Sequence, residues 1–236
     1  MYKYEMHLHT SVGSKCASAT VEEQLDYYKA LGYTGVCITE HFVNSNTTIP
    51  FNLDWEEKIN LYCKAYEIGK EYGKKIGLDV FFGFEASFNH YSDILVYGID
   101  KEWLLKHPHC DELKLTSFCD LMRKDGGFTV HAHPFREAVY IQYISLAPRK
   151  VDAVEVYNAQ RSDFENMLAE QYADNYGLLK SCGSDNHNRA ESLTALCIKD
   201  KAESIDDIIS AIKNKDAIIE RYTVEKKDGS YITTLK

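Results

Sequence analysis

Glu5-Met6-His7-Leu8-His9-Thr10 is the stretch from which the rest of the chain is read. In an extended strand alternate side chains share a face, so His7 and His9 point one way and Met6 and Leu8 the other. Two imidazoles about 7 Å apart along a strand can close on one metal ion. A His-x-His pair by itself is also an ordinary surface feature. Its meaning depends on what the other strands bring to the same place.

Working outward, residues 3–9 read as the first strand and Thr20-Val21-Glu22-Glu23 as a capping box that opens a helix closed at Gly32. A short apolar strand over 33–39 ends in Glu40-His41. Asp54 caps a helix that the pattern carries to Ile76, and the strand over 79–84 ends in Glu85. Further strands are expected over 92–98, 128–133 (halted by Pro134), 151–157 and 179–183, the last running into Ser184-Asp185-Asn186-His187. Helices over 111–124, 162–176 and 204–215 and strands from 218 onward complete the body. Strands alternating with helices imply a parallel sheet with both faces covered. About seven such strands in one domain, residues 1–236, suggest a closed or nearly closed β/α barrel, with an open doubly wound sheet as the alternative.

On that reading His7 and His9, Glu40 and His41, Glu85, His133, and Asp185 with His187 all fall at or just past the carboxyl ends of strands. Loops converge at that edge to form the site in parallel β/α folds. Six of the nine histidines (His7, His9, His41, His131, His133 and His187) belong to these ends, where chance would scatter them. Neutral imidazoles with carboxylates suit Zn, Mn or Fe. Two ions about 3.5–4 Å apart can clamp the attacking and leaving oxygens of phosphoryl transfer and acidify bound water, so no protein nucleophile is needed. The chain has no Gly-x-Ser-x-Gly elbow and no Walker loop.

The bulk numbers restrict the partners. The chain has 236 residues, 44% hydrophobic and 27% charged, with 36 acidic against 27 basic side chains and a net charge of -9. That composition is globular. The charge argues against broad binding to long nucleic acid or to an anionic membrane, both of which need a dense positive surface. No apolar run reaches membrane-spanning length and no signal peptide is evident. Seven cysteines without a Cys-x-x-Cys pattern read as reduced thiols, mostly buried, and the expected location is cytoplasmic.

His7-Leu8-His9-Thr10, Ile38-Thr39-Glu40-His41, Gly83-Phe84-Glu85, Ala132-His133-Pro134 and Gly183-Ser184-Asp185-Asn186-His187 together resemble the PHP (polymerase and histidinol phosphatase) family of metal-dependent phosphoesterases. The resemblance spans residues 1 to about 190. It implies a distorted seven-stranded β/α barrel with two or three metals at its mouth, held by His7, His9, His41, Glu85, His133, Asp185 and His187, with Glu85 as the bridging carboxylate. Departures exist. The second motif carries Glu40 where the family usually has Asp, which places Glu40 behind the ligands. Trinuclear members have a further histidine after the first motif, where this chain has Lys15 and Cys16. They have another after the fourth strand, where Gly98-Ile99-Asp100 stands. Cys16 and Asp100 are candidate replacements. His131 should share the face of His133, as a ligand or as a residue that holds one.

The activity implied is hydrolysis of a small phosphorylated metabolite or nucleotide by a metal-bound hydroxide, with Asp185 and Arg136 assigned to catalysis. Arg136 is placed to meet a phosphate at the mouth, and Arg189 and Lys15 are further candidate cations. His90, His107 and His109 are expected in exposed turns, and Asn158, closing the sixth strand with Glu155, as a turn cap or as the orienter of a ligand. The alternatives are a histidinol-phosphate phosphatase, a short-oligonucleotide exonuclease, and a catalytically silent module whose metals only hold the fold.

Overall fold

In the computed structural model, which describes residues 1–88, 92–228 and 230–236, ten strands share one sheet. His90 lies outside the described residues. The strands are β1 (Tyr2–Leu8), β2 (Gly35–Ile38), β3 (Asp79–Phe88), β4 (Ser92–Tyr97), β5 (Phe128–Ala132), β6 (Ala153–Asn158), β7 (Leu179–Gly183), β8 (Ser192–Ile198), β9 (Ile218–Lys227) and β10 (Ser230–Leu235). The helices are α1 (Val21–Ala30), α2 (Trp55–Tyr62), α3 (Lys64–Ile76), α4 (Lys101–Lys106), α5 (Leu115–Lys124), α6 (Asp163–Tyr176) and α7 (Ile205–Asn214). Thr20 with Glu23 and Asp54 with Glu57 form reciprocal capping boxes, as their spacing predicts. The single helix expected up to Ile76 is two, because the chain turns at Cys63 (φ -73°, ψ -4°).

The hydrogen-bonded order is β10-β9-β8-β1-β2-β3-β4-β5-β6-β7. The class is mixed α/β with a large sheet, but the strand directions are not all parallel. β1-β2-β3 and β5-β6-β7 are parallel runs, whereas β4 is antiparallel to both β3 and β5. β8, β9 and β10 are antiparallel additions beyond β1. The reversal of β4 matters for the site: its first residues, Ser92 and Asp93, lie at the edge where β3 and β5 end. Asp100, past its other end, caps α4 at the opposite rim by accepting from the Trp103 amide at 2.8 Å. The expected placement of Asp100 at the mouth assumed a parallel fourth strand, and the antiparallel pairing overturns it.

At the mouth the outer parallel strands meet. Beyond β7, Asn186 bridges Leu8 of β1, with His9 N–H donating to the Asn186 carbonyl at 3.1 Å. A shift in register between Glu5 and Leu8 also breaks the alternation assumed for β1. Met6 joins Tyr4, Leu95, Tyr97 and Val130 in a central apolar cluster, while Leu8 packs with Val21, Leu25 and Tyr28 of α1. Irregularities of this kind re-aim side chains at strand ends. No helix among the described residues is long and apolar enough to cross a membrane.

Candidate metal centre

The histidine pair of β1 is held from behind. His7 Nδ1 lies 2.8 Å from Glu155 Oε1, and His9 Nδ1 lies 3.0 Å from Ser14 Oγ. The Ser14 hydroxyl donates to Glu40 Oε2 at 2.5 Å, so it accepts from His9. In its neutral form each ring therefore carries its proton on Nδ1, and the two Nε2 atoms face each other 3.0 Å apart. Such a contact is held either by one proton between the nitrogens or by a cation bound to both. Glu40 is thus a residue behind the ligands. Its carboxyl also accepts from the Thr10 amide and hydroxyl, and burial pushes it up to about 7 against those bonds. Gly13 is required there, since a Cβ would come within 2.4 Å of Glu40 Cγ.

Buried carboxylates of Glu85, Glu155 and Asp185 surround the pair. Glu85 divides its oxygens: Oε1 lies 3.0 Å from His133 Nε2 and 3.5 Å from His7 Nε2, while Oε2 lies 2.7 Å from His41 Nδ1 and 3.5 Å from His9 Nε2. Oε2 and His41 Nδ1 are buried with no aligned hydrogen bond, an unsatisfied state that a shared cation relieves. Asp185 Oδ1 is 3.4 Å from His9 Nε2 and 3.6 Å from His7 Nε2. Burial opposes ionisation of Glu85, yet His7 and His41 hold it well below the ordinary carboxylate range; burial likewise opposes ionisation of Asp185, which His7 and its hydrogen bond with His9 hold low. Burial disfavours charge on His7, but Asp185, Glu155 and Glu85 outweigh it and hold the imidazole well above its usual value. His7, His9 and Asp185 form one set of mutually close ligand atoms, and His7, Glu85 and His133 another. The donor set is one that Zn, Mn or Fe would fit.

Two of these side chains reach the mouth through strained backbone. His133 (φ 27°) and Asp185 (φ 50°) both lie at positive φ, uncommon for non-glycine residues and concentrated at functional sites. The turn at His133 separates it from His131, which faces Tyr172 on the helix side of β5 with neither ring nitrogen hydrogen-bonded. Burial, aided by His133, pushes the His131 imidazole down to about 3. The shared face expected for the two residues is absent because the strand stops at Ala132. Gly183 is also obligatory, since a Cβ would sit 2.2 Å from His7 Cβ and 2.4 Å from Glu155 Oε1.

A third set lies on the outer side. His9, His41 and His187 have ring nitrogens close to one another, and Cys16 Sγ is 3.1 Å from His41 Nε2. Burial raises the Cys16 thiol, but hydrogen bonds with His187 and His41 outweigh it and bring it down to about 6. Six other cysteines are free and buried, as their apolar settings predict.

The cations divide. Arg136 Nη2 is 3.4 Å from Asp93 Oδ2, and the guanidinium lines the cleft with a buried, unpartnered Nε. Arg189 is exposed near Glu23 at 3.7 Å, and Lys15 lies over the Phe51 ring at 5.4 Å; neither lines the cleft. His107 stacks on Trp103 at 3.8 Å and His109 pairs with exposed Glu112.

The sequence alone gives no role to Asp93, Glu5 or Arg161, and reads Glu155 and Asn158 only as closing a strand, with Asn158 as a cap or the orienter of a ligand. Asp93 accepts from Ser87 Oγ and approaches His133 Nε2 at 3.9 Å. Glu155 binds His7, the His133 amide and Asn158 Nδ2, and Asn158 also reaches Asp185 Oδ2 at 3.3 Å besides capping its turn. Glu5, buried and pushed up to about 7 by burial, accepts from the His7 and Ser184 amides. Arg161 also lines the cleft. The only signal in the sequence was position: Glu155 and Asn158 close a strand, as the ligands do.

The centre opens into a cleft of about 1600 Å³ walled by Asn44, Asp111, Lys114, Tyr140, Gln160 and Arg161. Solved structures share this architecture. A two-domain protein containing a predicted PHP-like metal-dependent phosphoesterase from Bacteroides vulgatus superposes with a TM-score of 0.68 at 15% identity, over 94% of this chain and 64% of that one. The fold is that of the PHP-like phosphoesterases. Endonuclease Q, solved with a 27-mer duplex carrying an abasic lesion at its active site, gives a TM-score of 0.59 at 14% identity over 90% of this chain. The lesion-specific endonuclease of Pyrococcus furiosus gives 0.59 at 15% identity. The chain spans 56% of the length of each of these two PHP-fold nucleases. No protein-family model matches the sequence, and no curated protein matches it.

Proposed function

We propose that the protein is a metal-dependent phosphoesterase acting on a small phosphorylated metabolite or nucleotide. The observation that carries this reading is the facing pair of His7 and His9 Nε2 atoms, 3.0 Å apart amid the buried carboxylates Glu85 and Asp185. The same reading takes β1–β7 as a distorted barrel, supported by the bridge of Leu8 to Asn186 at the seam.

His7, His9, Glu85, His133, Asp185, His41 and His187 would hold two or three divalent ions. Bound there, such ions supply Lewis acidity and an activated water. The chain's own groups do the rest. Glu155 and Ser14 fix the protons of His7 and His9 on Nδ1, which keeps both Nε2 atoms free to ligate. Arg136, oriented by Asp93, offers paired donors to phosphoryl oxygens as negative charge develops. Asn158 holds Asp185 in position.

The test is release of inorganic phosphate from a panel of nucleotides, sugar phosphates and histidinol phosphate, with Mn or Zn, before and after chelation. Metal-dependent turnover of one class is expected; no turnover of any ester by metal-loaded protein contradicts the proposal. A short oligonucleotide is the second reading, favoured by a cleft larger than the roughly 300–1,000 Å³ of most small-molecule sites. Nucleotide release from a labelled oligomer separates the two.

A further inference from the structure

We propose that Arg161 binds a second negatively charged group of the substrate, a phosphate or carboxylate carried on the alcohol side of the scissile ester. This rests on the reading of the mouth as a phosphoesterase centre and narrows the class of ester it takes.

Arg161 stands apart from the other arginines of the chain. Of the six, Arg123, Arg136 and Arg189 lie against Asp152, Asp93 and Glu23, while Arg149 and Arg221 lie over the rings of Tyr176 and Tyr157. Among the described residues Arg161 has no such acid or ring, and its Nε is buried without a hydrogen-bond partner. Glu165, one turn into α6, is already engaged by the amide and hydroxyl of Ser162 and by the Glu137 amide. A buried donor left unpaired is costly, most of all on a charged group. In a chain of net charge -9, a guanidinium held out of reach of a carboxylate keeps its fork of donors for an anion from outside the chain.

The cleft that Arg161 lines is also lined by Glu85, His133 and Asp185, so an anion on Arg161 and a phosphoryl group at the metal centre share one space. The turn that carries Arg161 is fixed from several sides. Its amide donates to the Asn158 carbonyl at 3.1 Å, a closure that keeps the two Cα atoms within about 7 Å, and Asn158 Nδ2 reaches Asp185 Oδ2 at 3.3 Å. Gln160 Nε2 donates to the Ser184 and Ser192 carbonyls, each at 3.1 Å, and Asn166 Nδ2 to the Asn158 carbonyl at 3.1 Å. Arg161 thus starts one turn away from the side chain that holds Asp185. Arg136 differs, because Asp93 at 3.4 Å offsets its charge. An unpaired guanidinium in the same cleft favours an ester whose alcohol part is charged over one whose alcohol part is neutral, which leaves the donors unmatched.

The experiment uses the metal-loaded full chain and phosphate esters of straight-chain alcohols in a series of lengths, whose far end carries a hydroxyl, a carboxylate or a second phosphate. At the length that fits, kcat/KM should be roughly 10- to 100-fold higher for a charged far end than for the hydroxyl. Whichever anion gains more names the group. Arg161→Met should abolish that preference, with the loss falling on KM, and Arg161→Lys should recover part of it. Circular dichroism checks that both variants fold. The same kcat/KM for all three far ends at every length, or a preference that survives in Arg161→Met, overturns the proposal. If no ester is hydrolysed, the phosphoesterase reading fails, and calorimetric binding of the bisphosphates still decides for Arg161. Tighter binding to the parent than to Arg161→Met supports its role, and equal binding overturns it.

Discussion

At the mouth of the sheet Glu5, Glu40, Glu85 and Glu155 are all buried, whereas at the opposite rim Asp79, Asp100 and Asp152 remain half-buried or exposed. The opposite rim uses its acids in the ordinary way. Asp79 pairs with Lys201 at 2.8 Å, Asp100 caps α4, and Asp152 accepts from Thr129 while pairing with Arg123 at 3.1 Å. Each such contact contributes about 1 kcal/mol or less. A buried carboxylate without a matching cation costs several kcal/mol. The mouth collects Glu85, Glu155 and Asp185 around His7 and His9, with Asp93 beside His133 and paired with Arg136. The contrast separates acids whose partners the surrounding fold supplies from acids gathered at the mouth, and it can be broken at four points.

The largest effect belongs to the ligands. His9→Ala or Asp185→Asn should lower phosphoesterase activity by at least about a hundredfold while leaving the circular dichroism spectrum unchanged. Equal activity in either variant would remove the mouth from the chemistry. Glu155→Gln comes next: metal affinity should fall roughly 10- to 100-fold, because the replacement no longer fixes the His7 proton. A calorimetric titration with zinc reads this directly.

At the other rim the effects shrink. Asp100→Ala should cost about 1 kcal/mol in urea unfolding through loss of the α4 cap, with kcat/KM unaltered. The smallest is the Glu67 cluster. Hydrogen bonds from Lys101 and Lys64 hold the Glu67 carboxyl below its ordinary value. Its contribution is therefore present at neutral pH and is lost as pH falls through the folded-state pKa. Lys101→Ala should raise that pKa in an NMR titration and cost less than about 1 kcal/mol at pH 7, with no difference in strongly acid solution.

The ligand types were legible because catalysis needs particular atoms at strand ends, and those atoms leave a one-letter trace. His7, His9, Glu85, His133 and Asp185 could be read that way and do converge. Strand direction leaves no such trace. The apolar run of β4 reads alike in either direction, so the pattern sends Asp100 to the mouth, whereas the antiparallel strand puts Asp93 there. β8 leaves no trace either, its Ser192–Ile198 run being a mostly buried strand antiparallel to β1. Alternation failed at His131 and Met6 for one reason: a register shift in β1 and a positive φ at His133 re-aim side chains where the strand ends. Residues that serve ligands, such as Glu155 and Asn158, carry common side chains whose role comes only from their neighbours.

The central claim is that side chains from β1, β3, β5 and β7 enclose cations at one mouth. Anomalous scattering from crystals grown with zinc, collected on both sides of the zinc edge, tests it most directly. The account predicts peaks at bonding distance, about 2.0–2.2 Å, from His7 and His9 Nε2 and from the carboxylates of Glu85 and Asp185. Zinc peaks confined to surface residues, with the space between His7 and His9 showing none, would contradict it.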